Sequence, residues 1–115
     1  ATGPDDYDLI LSGDLGKIGS TLLVELLKTD HIFLGENYKD CGCMIFDPKR
    51  QDVHSGGSGC GCVASVLCGY ILPQMMKKTW KKVLVMGTGA LMSPTSMMQG
   101  ESVPGIAHLV ELSAQ

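Results

Sequence analysis

Residues 7–28 read YDLILSGDLGKIGSTLLVELLK, and two periodicities meet within them. Tyr7 to Ser12 is a nearly continuous apolar run behind an acidic, proline-containing lead, the pattern of a parallel strand covered on both faces. Gly13 and Asp14 end it. From there Leu15, Ile18, Leu22, Leu23, Leu26 and Leu27 recur three and four positions apart, with Gly19 among them, as one stripe of a helix. Lys17, Ser20, Thr21, Glu25 and Lys28 take the opposite side, and Asp14 is placed to cap the first turn. A buried strand that turns directly into an amphipathic helix is the opening of an α/β unit.

The rest of the chain repeats that theme. After a loop at 34–39, CGCMIF (Cys41 to Phe46) reads as a second strand, followed by a turn at Asp47 to Arg50. HSGGSGCGC (His54 to Cys62) leads into VASVLCGYIL, an apolar run that predicts a buried helix to about Met76, kinked or shortened at Pro73. KVLVM (Lys82 to Met86) reads as a third buried strand, Gly87 to Gln99 as a loop of small residues, and Gly105 to Leu112 as a final strand with Ile106, His108 and Val110 on one face. The order is β-α-β-α-β-β, a mixed and largely parallel sheet covered by helices. The first and third strands are expected to be central and parallel, with the last one antiparallel.

Composition bounds the function. The chain has 115 residues, enough for one domain, with 44% apolar, 18% charged and 5% aromatic residues, a globular balance whose core must come from aliphatic and small side chains. A net charge of −3 argues against a general nucleic-acid binder, which needs a basic surface. No apolar run reaches the roughly 18 residues of a membrane span, and ATGPDDYD at the start is acidic, unlike the front of a signal peptide. Five cysteines without a secretory leader are expected to be reduced thiols. A first strand so close to residue 1 points to a domain of something larger.

Ligands of open α/β sheets collect beyond the carboxyl ends of strands. Three stretches fall there: Ser12 to Gly16, Ser55 to Cys62, and Gly87 to Ser96. The middle one leaves backbone N–H groups free at a helix start, where a carboxylate or phosphate fits; the competing reading is that its glycines allow tight packing. Cys41, Cys43, Cys60 and Cys62 form Cys-x-Cys pairs rather than the Cys-x2-Cys of structural zinc sites, so no metal is expected and the thiols read as small buried hydrophobes, Cys68 included. Cys60 beside a helix start, with His54 as base, is the one nucleophile pair available. His108 reads as a core residue and His31 as exposed. In KKTWKK (Lys77 to Lys82) the lysines oppose the negative end of the helix dipole, or meet anionic lipid with Trp80 at the interface.

The phrases SGDLGKIGS (12–20), DCG (40–42), QDVHSGGSGCGC (51–62), GTGALMSPTS (87–96) and QGESVPGIAH (99–108) closely resemble the stage V sporulation AD family, a thiolase-like group related to β-ketoacyl-acyl-carrier-protein synthase III. The resemblance implies that residues 1–115 form the C-terminal thiolase-like half of a two-half protein. It further implies a protein that binds dipicolinic acid and supports its movement into the developing spore, peripheral to the inner spore membrane. The implied partners are its own N-terminal half, other stage V sporulation membrane proteins and a possible second copy; no cofactor is implied. Condensing enzymes of this superfamily place a histidine after the first strand of this half and an asparagine at the start of its second helix. Those positions fall near Gly13 and Cys60 here, so no catalytic residue is expected; the alternative is an acyl-thioester condensing enzyme with displaced groups. For a dianionic ligand the expected contacts are Ser55, Gly57, Ser58, Gly59 and Cys60, with Ser93 and Ser96 from the adjoining loop.

Overall fold

The computed structural model describes residues 3–90 and 105–114, which leaves Ser93 and Ser96 outside the described residues. β1 (Leu9–Ser12) is fully buried and leads through Gly13 and Asp14 to α1 (Gly16–Thr29). β2 (Tyr38–Asp40) passes directly into a short α2 (Cys41–Met44). Next comes one continuous helix built of α3 (Cys62–Val66), a π turn (Leu67–Ile71) and α4 (Leu72–Met76). β3 (Lys82–Ala90) and β4 (Gly105–Ser113) complete a four-stranded sheet of order β2-β1-β3-β4. β1 pairs in parallel with both β2 and β3, and β3 pairs antiparallel with β4. The architecture is the expected mixed, mostly parallel α/β sheet, consistent with half of a thiolase-like fold.

Burial explains the strand pattern. Leu9, Leu11, Val83 and Val85 point to one face and pack with Cys62, Val66, Ile71 and Met75 from the 62–76 helix and Cys41 from α2. The helix contacts are spaced four, five and four residues apart, and the five-residue step falls across the π turn. A wider turn holds one extra residue, so the apolar stripe stays over the sheet where an ideal helix would rotate it away. The same turn lies just ahead of Pro73, which has no N–H to donate, and the helix continues to Met76 as expected instead of stopping. On the other sheet face Ile10, Leu84, Met86 and Leu109 line a cavity of about 640 Å³ with Leu27, Phe33 and neighbouring residues.

Five local expectations fail. CGCMIF is not a strand: β2 ends at Asp40, whose carboxylate accepts a hydrogen bond from the Cys43 N–H at 3.2 Å and turns the chain into α2. A short apolar run does not distinguish buried strand from buried helix. Asp14 does not cap α1. The carboxylate of Asp40 does so, accepting from the N–H groups of Leu15 (3.0 Å) and Gly16 (2.9 Å), while the Ser55 carbonyl and hydroxyl accept from Lys17 (2.6 Å) and Ile18 (3.1 Å). β3 does not stop at Met86. It runs through Gly87, Thr88 and Gly89 to Ala90 because β4 supplies backbone partners along its length. Cys68 and His108 are exposed, not core: the π turn directs Ile71 inward and leaves Cys68 outside.

The basic segment after the helix is tied into the fold. The Asp8 carboxylate accepts from the Lys81 and Lys82 N–H groups at 2.8 and 3.0 Å. Lys82 lies 5.4 Å from the Tyr7 ring centroid and 3.6 Å from Glu111. Trp80 is half-buried against the core and meets Tyr70 edge to face at 5.9 Å, which favours an internal packing role over a lipid anchor.

Candidate functional site

The carboxyl ends of β1 and β3 converge on the glycine-rich loop 55–61. Two glycines shape this loop, Gly56 and Gly59, both at φ +119°. A side chain at Gly56 would run into the Gly42 carbonyl, and the Gly57 N–H donates to that carbonyl at 2.7 Å. Gly59 faces open space, so it is held by conformation and not by crowding.

Asp14 joins the three segments. Its Oδ2 accepts from the Ser58 hydroxyl at 2.8 Å and from the Gly59 N–H at 2.9 Å, and its Oδ1 accepts from the Thr88 hydroxyl at 2.8 Å. The Asp14 N–H also donates to Thr88 Oγ1 at 3.0 Å. Partial burial works to raise this carboxyl, but the Gly59, Thr88 and Ser58 donors outweigh it and hold Asp14 below its ordinary value. The approach is close throughout: a Cβ on Gly13 would sit 2.7 Å from Thr88 Oγ1.

Behind this cluster lies a second, buried one. Ser12 and Asp40 are both almost fully buried, and the Ser12 hydroxyl donates to Asp40 Oδ1 at 2.5 Å and shares a 2.6 Å hydrogen bond with the Tyr38 hydroxyl. Asp40 also caps α1 and α2, so its lone pairs are spent on the junction of β1, β2 and two helices. Burial pushes the Tyr38 hydroxyl up, and its bond to Ser12 only partly offsets that. This network fixes the floor of the site.

The expected ligand residues divide into two groups. Ser55 and Gly57 are occupied in holding α1 and Gly42. Ser58, Gly59 and Cys60 stand at the surface, and the first two point their donors at Asp14. The helix proper starts at Cys62, two residues beyond Cys60. Sequence reasoning assigned Asp14 to a cap and did not single out Thr88; the available signal was that both fall in the polar or small-residue stretches 12–16 and 87–96 that follow apolar runs.

The thiols are spread through the structure. Cys41 and Cys62 are buried in the core, Cys43 is half-buried, and Cys60 and Cys68 are exposed. Burial, then the nearby Cys62, Asp40 and Asp14, pushes the Cys41 thiol up to about 12; burial likewise raises Cys43 and Cys62. Cys62 donates weakly to the Gly13 carbonyl at 3.7 Å. His54 turns to Asp52 at 3.8 Å and lines a groove with Lys17, Ile18, Thr21 and Leu22 beside α1. Among the described residues no three His, Cys, Asp or Glu side chains gather as a metal site, and no helix is long and apolar enough to cross a membrane.

Two comparisons bear on this arrangement. The chain is 46% identical over 104 residues to stage V sporulation protein AD of Bacillus subtilis (strain 168), a match that covers 90% of this chain and 30% of that relative. The chain therefore spans about a third of the length of the curated relative it matches. The family description "Stage V sporulation protein AD (SpoVAD)" matches residues 1–113, including the Asp14 turn, the 55–61 loop and Thr88, and the chain belongs to that family.

Proposed function

We propose that this chain is part of a non-catalytic sporulation protein that binds dipicolinic acid and supports its uptake into the developing spore. Family membership supports the sporulation role. The observation that supports ligand binding without catalysis is the meeting of Asp14 with Ser58 and Gly59. The two stretches that match the histidine and asparagine phrases of condensing enzymes come together there. Among the described residues, the hydrogen-bonded side chains at this meeting point are a carboxylate and hydroxyls, without a side-chain imidazole or amide in the bonds that join the two stretches.

Dipicolinate carries two carboxylates flanking a pyridine nitrogen, so its site needs converging donors to offset the loss of water. Ser58, Gly59 and Cys60 offer them at the surface of this chain, Ser55 and Gly57 support the loop, and Ser93 and Ser96 complete the proposed set. Cations for the dianion are expected from the remainder of the full-length protein, with its N-terminal half as the facing wall. The proposed setting is the developing spore, peripheral to the inner spore membrane, alongside other stage V sporulation membrane proteins.

The test is a titration of the full-length protein with dipicolinate and, separately, with an acyl thioester. Saturable dipicolinate binding without thioester turnover is expected. Turnover that disappears in Cys60→Ala or His54→Ala would establish the condensing-enzyme alternative. Within the binding reading, Gly59→Val should weaken dipicolinate by about tenfold, since it removes the backbone approach and strains φ, whereas Lys78→Ala should leave affinity unchanged.

A further inference from the structure

We propose that Asp14 is a resident carboxylate that competes with ligand for the donors of Ser58 and Gly59, an internal gate on the dicarboxylate site. The inference rests on the binding function proposed above and concerns how that site is controlled.

The division of labour between the two carboxylate oxygens carries it. Oδ2 takes both loop donors, the Ser58 hydroxyl at 2.8 Å and the Gly59 N–H at 2.9 Å, through bonds that face solvent. Among the described residues Oδ1 takes only the Thr88 hydroxyl at 2.8 Å, through a half-buried bond reinforced by the Asp14 N–H on the same oxygen of Thr88. One side of Asp14 is anchored to β3 and the other rests on an accessible loop. The loop bonds can therefore be exchanged for those of an external carboxylate while the Thr88 anchor persists.

Space and charge agree with this. Among the described residues, apart from each glycine's own chain neighbours, nothing lies within 4 Å of the position of a Cβ on Gly59 or Gly61, which leaves room beside the loop for a planar anion. While Asp14 holds those donors, an arriving carboxylate meets a like charge at hydrogen-bond distance and finds its donors taken. The exchange is anion for anion: two charge-assisted bonds are released and two are formed. Affinity at this loop is set by the difference, and a resident carboxylate lowers it. The depressed pKa of Asp14 keeps the gate charged at physiological pH.

The experiment uses full-length protein and dipicolinate as the probe, with affinity read by calorimetry. Asp14→Asn is expected to bind about tenfold more tightly than wild type, since the repulsion is gone and the loop donors are held less firmly. Asp14→Glu, which keeps the charge, is expected not to gain. Damage to the fold weakens binding, so a gain cannot arise from it. Unchanged or weaker binding by a folded Asp14→Asn, while wild type binds saturably, overturns the gate and leaves the binding function standing. No binding by either protein removes both. A measurement on wild type alone serves if the variant does not fold: saturating dipicolinate should shift the Asp14 carboxyl pKa upward in carbon-detected NMR, because its loop donors are lost, and an unmoved value overturns the proposal.

Discussion

α1 carries a spaced apolar stripe and the 62–76 helix a nearly continuous apolar run, and their apolar residues end in opposite circumstances. In the 62–76 helix Val66, Ile71 and Met75 are buried against Leu9, Leu11, Val83 and Val85. In α1 Ile18, Leu22 and Leu26 are 67%, 57% and 65% exposed. The difference lies in what each helix crosses. One lies on the broad face of β1 and β3; the other is tied by its N-terminus to Asp40 and Ser55 and leaves that stripe uncovered by the described residues. Periodicity reports which side of a helix is apolar, and the neighbours decide whether that side is paid for in buried area.

The sharpest break of this comparison is a pair of truncations. Ile71→Ala should cost about 2–5 kcal/mol of unfolding free energy in denaturant titrations, and Leu22→Ala within about 0.5 kcal/mol in this chain. Equal losses would mean that the exposed stripe is covered in solution. In the full-length protein the cost of Leu22→Ala should rise if the remaining chain packs there.

The next effect tests how α1 is held. Asp40→Asn keeps the size of the side chain but replaces an oxygen that accepts from Gly16 and Cys43 N–H groups, and should destabilise by about 1–3 kcal/mol. The 62–76 helix has no side-chain cap to lose at Gly61. A smaller contrast lies within the loop: Gly59→Ala at φ +119° should cost about 1–2 kcal/mol, while Gly61→Ala at φ −92° should be close to neutral. Thermal melts of the two variants would separate conformational strain from loss of packing.

Acid sensitivity is the mildest and most specific effect. The Asp14 carboxyl is held below its ordinary value of 3.8, so its contribution is fully present above that pH and is lost as pH falls through the lower folded value. The stability gap between wild type and Asp14→Asn should therefore be constant near neutrality and close below about pH 4. Thiol labelling gives an independent readout of the same geometry: Cys60 and Cys68 should react rapidly with a maleimide at neutral pH, and Cys41 and Cys62 only on unfolding. Rapid labelling of Cys41 would contradict its burial.

Much of the fold is legible in local pattern. YDLILS and KVLVM are apolar runs with turn residues behind them, and a strand with both faces covered needs little else to be recognised. The helix at 62–76 was likewise readable to its last residue, because its length and composition outweigh one proline. Where the local signal was short, it misled. CGCMIF satisfied a strand pattern, but Asp40 offers its carboxylate to the Cys43 N–H, and a side chain–backbone bond of that kind is invisible to periodicity.

The site divides along the same line. The sequence by itself determined that glycines and hydroxyl residues cluster in the stretches 12–16, 55–62 and 87–96, which follow apolar runs or open a helix, since that follows from residue identity and spacing. Only the tertiary structure decided that Asp14 belongs to the loop and not to its own helix. Three donors 44 to 74 residues away in the chain converge on its two oxygens, and a carboxylate goes where the most N–H and O–H groups meet it. The identity of those partners depends on which strands lie side by side, which the long-range pairing of β1 with β3 sets and no local stretch of sequence contains.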